Sequence, residues 1–586
     1  MKTTGKITGI VSNLVTISVS GPVIQNEICY ILYNGLRILS EVIRIDNERV
    51  YAQVFESTRG IQTGTEVEFT GKMLEVQLGP GMLAKVYDGL QSDLYAMESL
   101  FITRGMSSPA LDYTKKWKFK PLCKVGDEVS AGEWLGEVQE NWISHKIMVP
   151  FRFKEKLIIK SIVNEGSYNL EDIIAVVKNN EGQEFPLTMV FSWPVKRPVR
   201  VHKEKIRPFK ILETGVRVID IFNPMMEGGT GFIPGPFGCG KTVLQHTISK
   251  HADADLIIVV ACGERANEVV ELFTEFPNLD DPRTGRKMME RTIIICNTSN
   301  MPVAAREASV YTGMTIAEYY RAMGLKVLIL ADSTSRWAQA LREMSNRMEE
   351  LPGPDAYPMD LSAIVANFYA RAGFTWLKNN KSGSVTFIGT VSPAGGNFKE
   401  PVTEATRKVA RAFYALSQSR ADSKRYPAID PIESYSKYLE YDEVKQELNT
   451  IFDIQWTTKV SRLMNILIRG KDIKDQIGIL GDDGVPVDYH EVFWKSEVID
   501  FVLLQQDSFD KVDASTPLIR QKYMVDLLLS VCEKNYDFDH FEKVSEFFKK
   551  IINTLKQLNY SVYQEKDFIS HEANLNLLIS ERTKNS

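Results

Sequence analysis

Residues 235–242 have the spacing of a loop that binds nucleotide phosphates. They read Gly-Pro-Phe-Gly-Cys-Gly-Lys-Thr, which fits the pattern Gly-x-x-x-x-Gly-Lys-Thr. In such a loop the glycines let backbone N–H groups turn toward phosphate oxygens, the lysine reaches the β- and γ-phosphates, and the threonine hydroxyl binds Mg²⁺. We therefore predict a metal ligand in Thr242 and nucleotide contacts from Gly235, Pro236, Phe237, Gly238, Cys239, Gly240, Lys241, Thr242 and Val243.

Two carboxylates further along the chain each follow a run of apolar residues. Glu264 comes just after residues 255–261, and Asp332 comes directly after residues 326–331. A carboxylate such as Glu264 can orient or deprotonate the water that attacks a γ-phosphate. Asp332 after four apolar residues fits an acid that holds Mg²⁺, usually through water. Taken alone, Glu264 fits a surface carboxylate and Asp332 a helix N-cap, but their order after a phosphate loop favours the catalytic interpretation.

These residues need an α/β sheet to position them. A short strand over residues 231–234 is expected before the loop, and a helix over residues 242–250 after it. The apolar runs before the two carboxylates, and a third at 384–390, are typical of buried parallel strands. Because acidic residues just past such strands lie at the ligand-binding edge of the sheet, we predict an α/β domain with a mainly parallel sheet.

Four motifs together resemble one known family. Residues 235–242, 262–268, 297–309 and 331–338 are similar to the catalytic A subunit of V/A-type rotary ATPases, and the resemblance extends from residues 76–90 to residues 504–510. It implies a catalytic subunit that hydrolyses or synthesises ATP, with Mg²⁺ as cofactor, coupled to proton or sodium transport across a membrane.

The resemblance also assigns roles to single residues. It implies that Lys241 and Glu264 are catalytic, and that Arg265 responds to nucleotide at a subunit interface, although a structural ion pair would also explain Arg265. Tyr426 and Phe509 match aromatic residues of the adenine pocket, although a single Tyr or Phe is more often a core residue.

The chain divides by its patterns into several predicted domains. Strand and turn signals mark residues 1–72 as a β-barrel and 112–195 as a β-rich domain, with 73–111 as a connector that packs with the nucleotide domain. The resemblance implies that residues 1–72 are a crown-forming barrel, although an independent binding barrel stays an open alternative. It implies that residues 112–195 are an inserted bulge domain. The predicted fold is thus a multidomain α/β protein in which a P-loop nucleotide-binding domain over 196–435 precedes a helical C-terminal domain over 436–586.

Composition limits the classes of partner. The net charge of −5 over 586 residues argues against nucleic-acid binding. The first residues lack the apolar core of a signal peptide, and no run reaches the roughly 18–20 apolar residues of a membrane helix. Six cysteines without Cys-x-x-Cys pairing favour a reducing compartment. We expect a cytoplasmic protein that is peripheral to the inner face of a membrane through its assembled complex.

The family resemblance implies partners as well. These are B-type subunits in an alternating three-plus-three ring (A3B3), central-stalk and peripheral-stalk subunits, and a membrane ion-translocating sector reached through partners. The motifs of this chain contain no obvious arginine finger, so the resemblance places the finger on an adjacent B-type subunit. Two alternatives are a non-catalytic nucleotide-binding subunit, which need not retain both Lys241 and Glu264, and an RNA-translocating or protein-export ATPase, which would leave the bulge domain unexplained.

Cys239 lies inside the phosphate loop beside Lys241 and before a helix. A nearby cation and a helix N-terminus both lower the pKa of a thiol. We expect a lowered pKa for Cys239 and a reactive thiol that bound ATP protects. The alternative is that Cys239 fills a position where alanine would serve equally well.

Overall fold

The computed structural model describes residues 3–96, 108–265, 274, 276–298, 301, 303–393 and 396–583. The chain forms two compact units, each described separately below. The first comprises Met1–Arg207, Ala254–Val391 and Lys399–Val409, and the second comprises Pro208–Asp253, Ser392–Phe398 and Ala410–Ser586.

The first unit begins with a closed antiparallel barrel. Apolar and polar residues alternate along its strands: Val15, Ile17 and Val19 are buried, whereas Ser18 between them is exposed. This period of two directs one face of each strand into the core of the barrel. The strands follow one another around the barrel in the order β1-β2-β5-β4-β3-β6 and comprise β1 (Thr4–Val11), β2 (Leu14–Ser20), β3 (Glu27–Tyr33), β4 (Leu36–Asp46), β5 (Arg49–Val54) and β6 (Glu66–Met73).

A connector with β7 (Glu75–Leu78) and β8 (Val86–Tyr87) leads to a domain of two four-stranded sheets. Leu135, Val149 and Ile159 are among the residues that form a buried core there. The strands are β9 (Trp117–Pro121), β10 (Glu128–Val129), β11 (Trp134–Glu140), β12 (Ile143–Met148), β13 (Leu157–Ile162), β14 (Gly166–Tyr168), β15 (Ala175–Lys178) and β16 (Glu184–Leu187).

Two strands follow before the chain passes to the second unit. β17 (Phe191–Pro194) pairs with β7 in antiparallel orientation, and β18 (Glu204–Ile206) precedes the change of unit. In the second unit, β19 (Thr230–Pro234) leads through the phosphate loop into the helix α1 (Lys241–His251). The strand and helix expected on either side of the loop are therefore present.

The first unit resumes with a parallel sheet in the order β24-β22-β20-β21-β8. Every residue of β20 is buried, as expected of a parallel strand covered on both faces. The elements are β20 (Leu256–Glu264), β21 (Thr292–Thr298), α2 (Val303–Arg321), β22 (Lys326–Asp332), α3 (Thr334–Arg347), α4 (Leu361–Tyr369), β23 (Gly373–Trp376), β24 (Ser382–Val391) and α5 (Pro401–Val409).

The remainder of the second unit is mainly helical. On α11 (Phe541–Tyr560), Val544, Phe548, Ile551 and Leu555 are buried at spacings of three or four residues, which places them on one face. The other elements are β25 (Ala412–Phe413), α6 (Gln418–Asp422), β26 (Tyr435–Ser436), α7 (Asp442–Ile451), α8 (Trp456–Leu480), α9 (Val487–Ile499), α10 (Leu518–Cys532) and α12 (Lys566–Arg582).

The predicted fold class is confirmed. The N-terminal barrel, the β-rich insert, the parallel sheet and the C-terminal helices are all present. The domain boundaries chosen from the sequence stay predictions. Among the described residues, no helix combines the length and the apolar character needed to cross a membrane.

Candidate nucleotide-binding and catalytic residues

The phosphate loop owes its shape to two glycines in left-handed conformations. Gly238 has a φ of 83° and Gly240 a φ of 81°. Residues with a Cβ atom are strained in this region of backbone space, which explains why glycine occupies both positions. The left-handed turn at Gly240 ends the loop, and α1 begins at the next residue. The N–H groups of the first helical turn are unpaired within the helix and favour an anion.

Lys241 is held inside this loop. Its Nζ donates hydrogen bonds to the carbonyl oxygens of Gly235 at 2.7 Å and Pro236 at 2.8 Å. The same Nζ lies 5.3 Å from the centre of the Phe237 ring, which is 70% exposed. The loop therefore carries a positioned cation where the motif predicts contact with the β- and γ-phosphates. Thr242 and Val243 follow in the first turn of α1, where both residues are exposed.

The expectation of a lowered pKa for Cys239 is wrong. The residue is buried, and its thiol donates a hydrogen bond to Oε1 of Gln418 at 3.3 Å. Burial raises the pKa of the Cys239 thiol, and this effect outweighs the lowering by Lys241, while Asp422 raises the pKa further. The closeness of Lys241 in sequence correctly predicted a cation that lowers the pKa of this thiol. It did not show that the sulfur is buried.

The loop forms one wall of a cavity of about 490 Å³ within the second unit. Gly238, Gly240 and Val243 line it, and so do both predicted aromatic residues, Tyr426 and Phe509. A Cβ atom added to Gly240 would lie 3.6 Å from Cε1 of Tyr426. Tyr426 and Phe509 are 42% and 89% exposed, so neither is the ordinary core residue that the alternative required. The structure thus brings the loop and both aromatics to one cavity.

Other lining residues were not found from the sequence. Phe501, Lys556 and Tyr560 also line the cavity. They lie on the C-terminal helical segments, far from any phosphate-binding motif in sequence. The only available signal was the proximity of Phe501 to the segment at 504–510.

The two predicted carboxylates lie together in the first unit. Glu264 is the last residue of β20 and Asp332 the last of β22, and these neighbouring parallel strands pair Ala261 with Asp332. Both side chains therefore lie at the carboxyl edge of the sheet, where α/β proteins bind ligands. Oδ1 of Asp332 accepts a hydrogen bond from the hydroxyl of Thr390 at 2.7 Å.

Arg336 fixes the position of Glu264. Its Nη1 lies 2.9 Å from Oε2 of the buried Glu264 and also donates to the carbonyl oxygen of Gly263. The sequence pattern assigned no role to Arg336, although it lies only four residues after Asp332. The structure shows that this segment supplies both a carboxylate and the cation that orients a second carboxylate.

Arg265 is exposed and follows directly after β20. Residues 266–268, the rest of the motif that begins at Cys262, lie outside the described residues. The assignment of Arg265 to a subunit interface stays a prediction.

Three family models match separate parts of the chain. The beta-barrel domain of the ATP synthase alpha/beta family matches residues 7–71, and the barrel-sandwich domain of ATP synthase alpha/beta subunits matches residues 108–196. The nucleotide-binding domain of the ATP synthase alpha/beta family matches residues 215–436. This last range contains the phosphate loop, both carboxylates and Tyr426.

A solved structure with a similar fold is that of the assembled ATPase EscN from the type III secretion system of enteropathogenic E. coli. It has a TM-score of 0.61 and 20% sequence identity, and the match covers 90% of this chain and 100% of that chain. At this identity the likeness shows the fold alone.

Curated relatives match from end to end. The V-type ATP synthase alpha chain of Borrelia recurrentis (strain A1) is 48% identical over 589 residues, covering 99% of this chain and 100% of the relative. The V-type ATP synthase alpha chain of Treponema denticola is 47% identical over 584 residues, covering 99% and 97% respectively. With the phosphate loop and the carboxylates already in place, these matches confirm the resemblance seen in the motifs: the chain belongs to the family of V-type ATP synthase alpha chains.

Proposed function

We propose that this chain is the catalytic subunit of a V-type rotary ATPase, which hydrolyses or synthesises ATP and couples the reaction to transport of protons or sodium ions. The observation that carries the proposal is the cavity in the second unit. Its walls combine the glycines of the phosphate loop with Tyr426 and Phe509, so that phosphate-binding and ring-stacking groups border the same space. A nucleotide fits such a site, because the polar loop can bind its phosphates and the aromatic wall can contact its base.

The proposed chemistry assigns one task to each residue. Lys241 neutralises charge on the β- and γ-phosphates, and the N–H groups at the start of α1 bind phosphate oxygens. Glu264 orients the attacking water and accepts its proton, while Arg336 keeps the carboxylate of Glu264 in one position. Arg265 responds to nucleotide at the interface with the neighbouring subunit. Phosphoryl transfer depends mainly on positioning and on electrostatic stabilisation, which these groups supply.

Mg²⁺ bound with ATP or ADP is the proposed cofactor, held by Thr242 and Asp332. Hydroxyl and carboxylate oxygens are the donors that this ion prefers. Asp332 ends a buried strand, and its carboxylate is oriented by Thr390, which suits a fixed ligand. No group of three or more His, Cys, Asp or Glu residues suited to a metal occurs among the described residues.

The family implies that the chain acts within a multisubunit rotary complex. We propose B-type subunits alternating with this chain in an A3B3 ring, together with central-stalk and peripheral-stalk subunits. The membrane ion-translocating sector is reached through these partners, on the cytoplasmic side. The barrel, insert and nucleotide-binding models all come from ATP synthase alpha/beta subunits, which supports this arrangement.

Substitution of Glu264 tests the catalytic assignment. Glu264→Gln keeps the shape of the side chain but removes the charge, so the assembled variant should bind ATP with Mg²⁺ and turn over at least ~10²-fold more slowly. Glu184→Gln is a matched control, because Glu184 is 48% exposed and pairs only with Lys160 among the ion pairs described. Binding is measured by calorimetry and turnover by phosphate release. Unchanged turnover in Glu264→Gln would show that another group positions the water.

A further inference from the structure

Arg425, the residue before Tyr426, has its guanidinium bound to two carboxylates. Nη1 and Nη2 donate to Oε1 and Oε2 of Glu497 at 3.1 and 2.8 Å, which is a bidentate pair. Nη1 also lies 3.2 Å from Oδ2 of Asp500. Glu497 belongs to α9, and Asp500 begins a π-helical turn (Asp500–Leu504) that follows α9 directly. Arg425 therefore ties the segment that carries Tyr426 to the end of α9.

A second arginine completes this group of charges. Arg420 contacts Asp500 through Nη1 at 2.6 Å and Nη2 at 3.1 Å, and its carbonyl oxygen accepts the N–H of Arg425 at 2.9 Å. We call Arg420, Arg425, Glu497 and Asp500 the Arg425 cluster. All four side chains are between 11% and 19% exposed. Burial would raise the pKa of Asp500, but Arg420 and Arg425 outweigh burial and hold that pKa below its ordinary value.

The Arg425 cluster lies next to the nucleotide cavity, but its four residues are not among those that line the cavity. Phe501, which lines the cavity, lies with its ring centre 4.8 Å from the guanidinium of Arg425 and 4.3 Å from Nζ of Lys556. Gln506, another lining residue, donates its N–H to the carbonyl oxygen of Tyr426 at 2.8 Å. Tyr426 is thus held at its own carbonyl by Gln506, in the loop after residues 500–504, and through the preceding side chain by the end of α9.

We propose that Arg425 is a positioning residue for the nucleotide base: its ion pairs with Glu497 and Asp500 hold Tyr426 at the cavity wall, so that base affinity depends on the end of α9. The inference rests on the proposed function of the cavity. A guanidinium suits this task because its planar fork engages both oxygens of Glu497 at once, whereas a lysine ammonium would contact the carboxylate as a point charge. Because Tyr426 is 42% exposed, packing alone does not fix its ring.

The test compares ATP with inorganic tripolyphosphate, which has phosphates but no base. Each ligand is titrated with Mg²⁺ into the full-length chain by calorimetry. In Arg425→Ala the Kd of ATP should rise about tenfold, equivalent to ~1.4 kcal/mol, while the Kd of tripolyphosphate stays unchanged. Glu497→Gln should act in the same direction but more weakly. The double variant Arg425→Glu with Glu497→Arg should recover part of the ATP affinity.

Two further variants test whether the effect depends on Arg425 itself and on its bidentate contact. Arg462→Ala removes an arginine that forms an ion pair with Glu533 in the same unit, with both side chains more than 40% exposed, and should change neither Kd. Arg425→Lys keeps the charge but loses the bidentate contact. Arg425→Lys should raise the Kd of ATP but not that of tripolyphosphate. It takes the place of Arg425→Ala in the test if Arg425→Ala does not fold.

The outcomes separate this inference from the proposed function. Equal weakening of ATP and tripolyphosphate, or no weakening of either, in a folded Arg425 variant would overturn the positioning role while leaving the phosphate site intact. If the unaltered chain bound neither ligand, the proposed function itself would fail, and the inference with it. Selective loss of ATP affinity with recovery in the charge-reversed pair supports the inference.

Discussion

At the residue scale, the ammonium of Lys241 is already positioned before a phosphate arrives. Two carbonyl oxygens of the loop accept its hydrogen bonds, and these are contacts that phosphate oxygens can replace. Lys241→Ala should therefore weaken ATP binding by at least about tenfold and lower turnover strongly, since hydrogen bonds to charged groups contribute roughly 1.5–3 kcal/mol each. Lys445→Ala, at a side chain that is 44% exposed on α7, serves as the control. Near-normal turnover of assembled Lys241→Ala would remove this residue from the mechanism.

Cys239 offers a second test at the residue scale, because its burial sets the direction in which its reactivity should change with pH. Because the pKa of the thiol is raised, little thiolate exists near neutral pH, and the reactivity of Cys239 should increase as the pH rises. Alkylation followed by peptide mass spectrometry should show Cys239 reacting more slowly than free cysteine at pH 7. Bound ATP should slow the reaction further, because Cys239 lies in the loop that ATP would cover. Rapid labelling at pH 7, or labelling that ATP leaves unaffected, would contradict this placement.

At the element scale, the long helix α8 contacts α9 closely at one glycine. A Cβ atom on Gly470 would lie 2.2 Å from Cβ of Ser496, whereas a Cβ atom on Gly478 would meet nothing within 4 Å. Gly470→Ala should lower the free energy of unfolding by roughly 1–3 kcal/mol through overpacking. Gly478→Ala should raise the same quantity by up to about 1 kcal/mol, because alanine favours the helix. Urea titration followed by circular dichroism measures both, and a stabilised Gly470→Ala would show that α9 moves away without cost.

At the scale of the whole molecule, one lysine and two buried carboxylates link the barrel of the first unit to the parallel sheet of the same unit. Lys196 lies 2.9 Å from Glu41 of β4 and 3.3 Å from Glu307 of α2. The three side chains come from the barrel, the segment between β17 and β18, and a helix beside the sheet. If either the barrel or α2 moved away, a buried charge of this group would lose its partner, which costs free energy. The ion pairs therefore favour this packing of the barrel against α2.

The proposed arginine finger would make the completeness of the active site a property of the assembled complex. The motifs around the phosphate loop supply Lys241 and proposed Mg²⁺ ligands, and the family resemblance places the arginine finger on a B-type neighbour. Such a finger is worth roughly 10³–10⁵ in rate. The isolated chain, shown to be monomeric by light scattering, should bind ATP but hydrolyse it slowly, and mixing with the B-type subunit should restore turnover. Full activity of the monomer would mean that the site is complete within one chain.

The sequence by itself determined what depends on neighbouring residues. Phosphate binding needs glycines, a lysine and a helix start within eight positions, so residues 235–242 predicted the loop and α1 correctly. Apolar runs predicted the buried strands that end at Glu264 and Asp332, because burial on both faces demands continuous apolar residues. The family followed from several such motifs in a fixed order, and full-length relatives confirmed it.

Only the tertiary structure decided what depends on residues distant in the chain. Glu264 meets Arg336 because β20 and β22 are neighbours in the sheet, and Arg425 meets Glu497 across 72 positions. The burial that raises the pKa of Cys239 also comes from folding, and it reversed an expectation based on Lys241, two residues further along the chain. Local patterns record which backbone conformation a segment favours. Solvent exclusion and charge pairing depend on which segments pack together, and that is determined only when the chain folds.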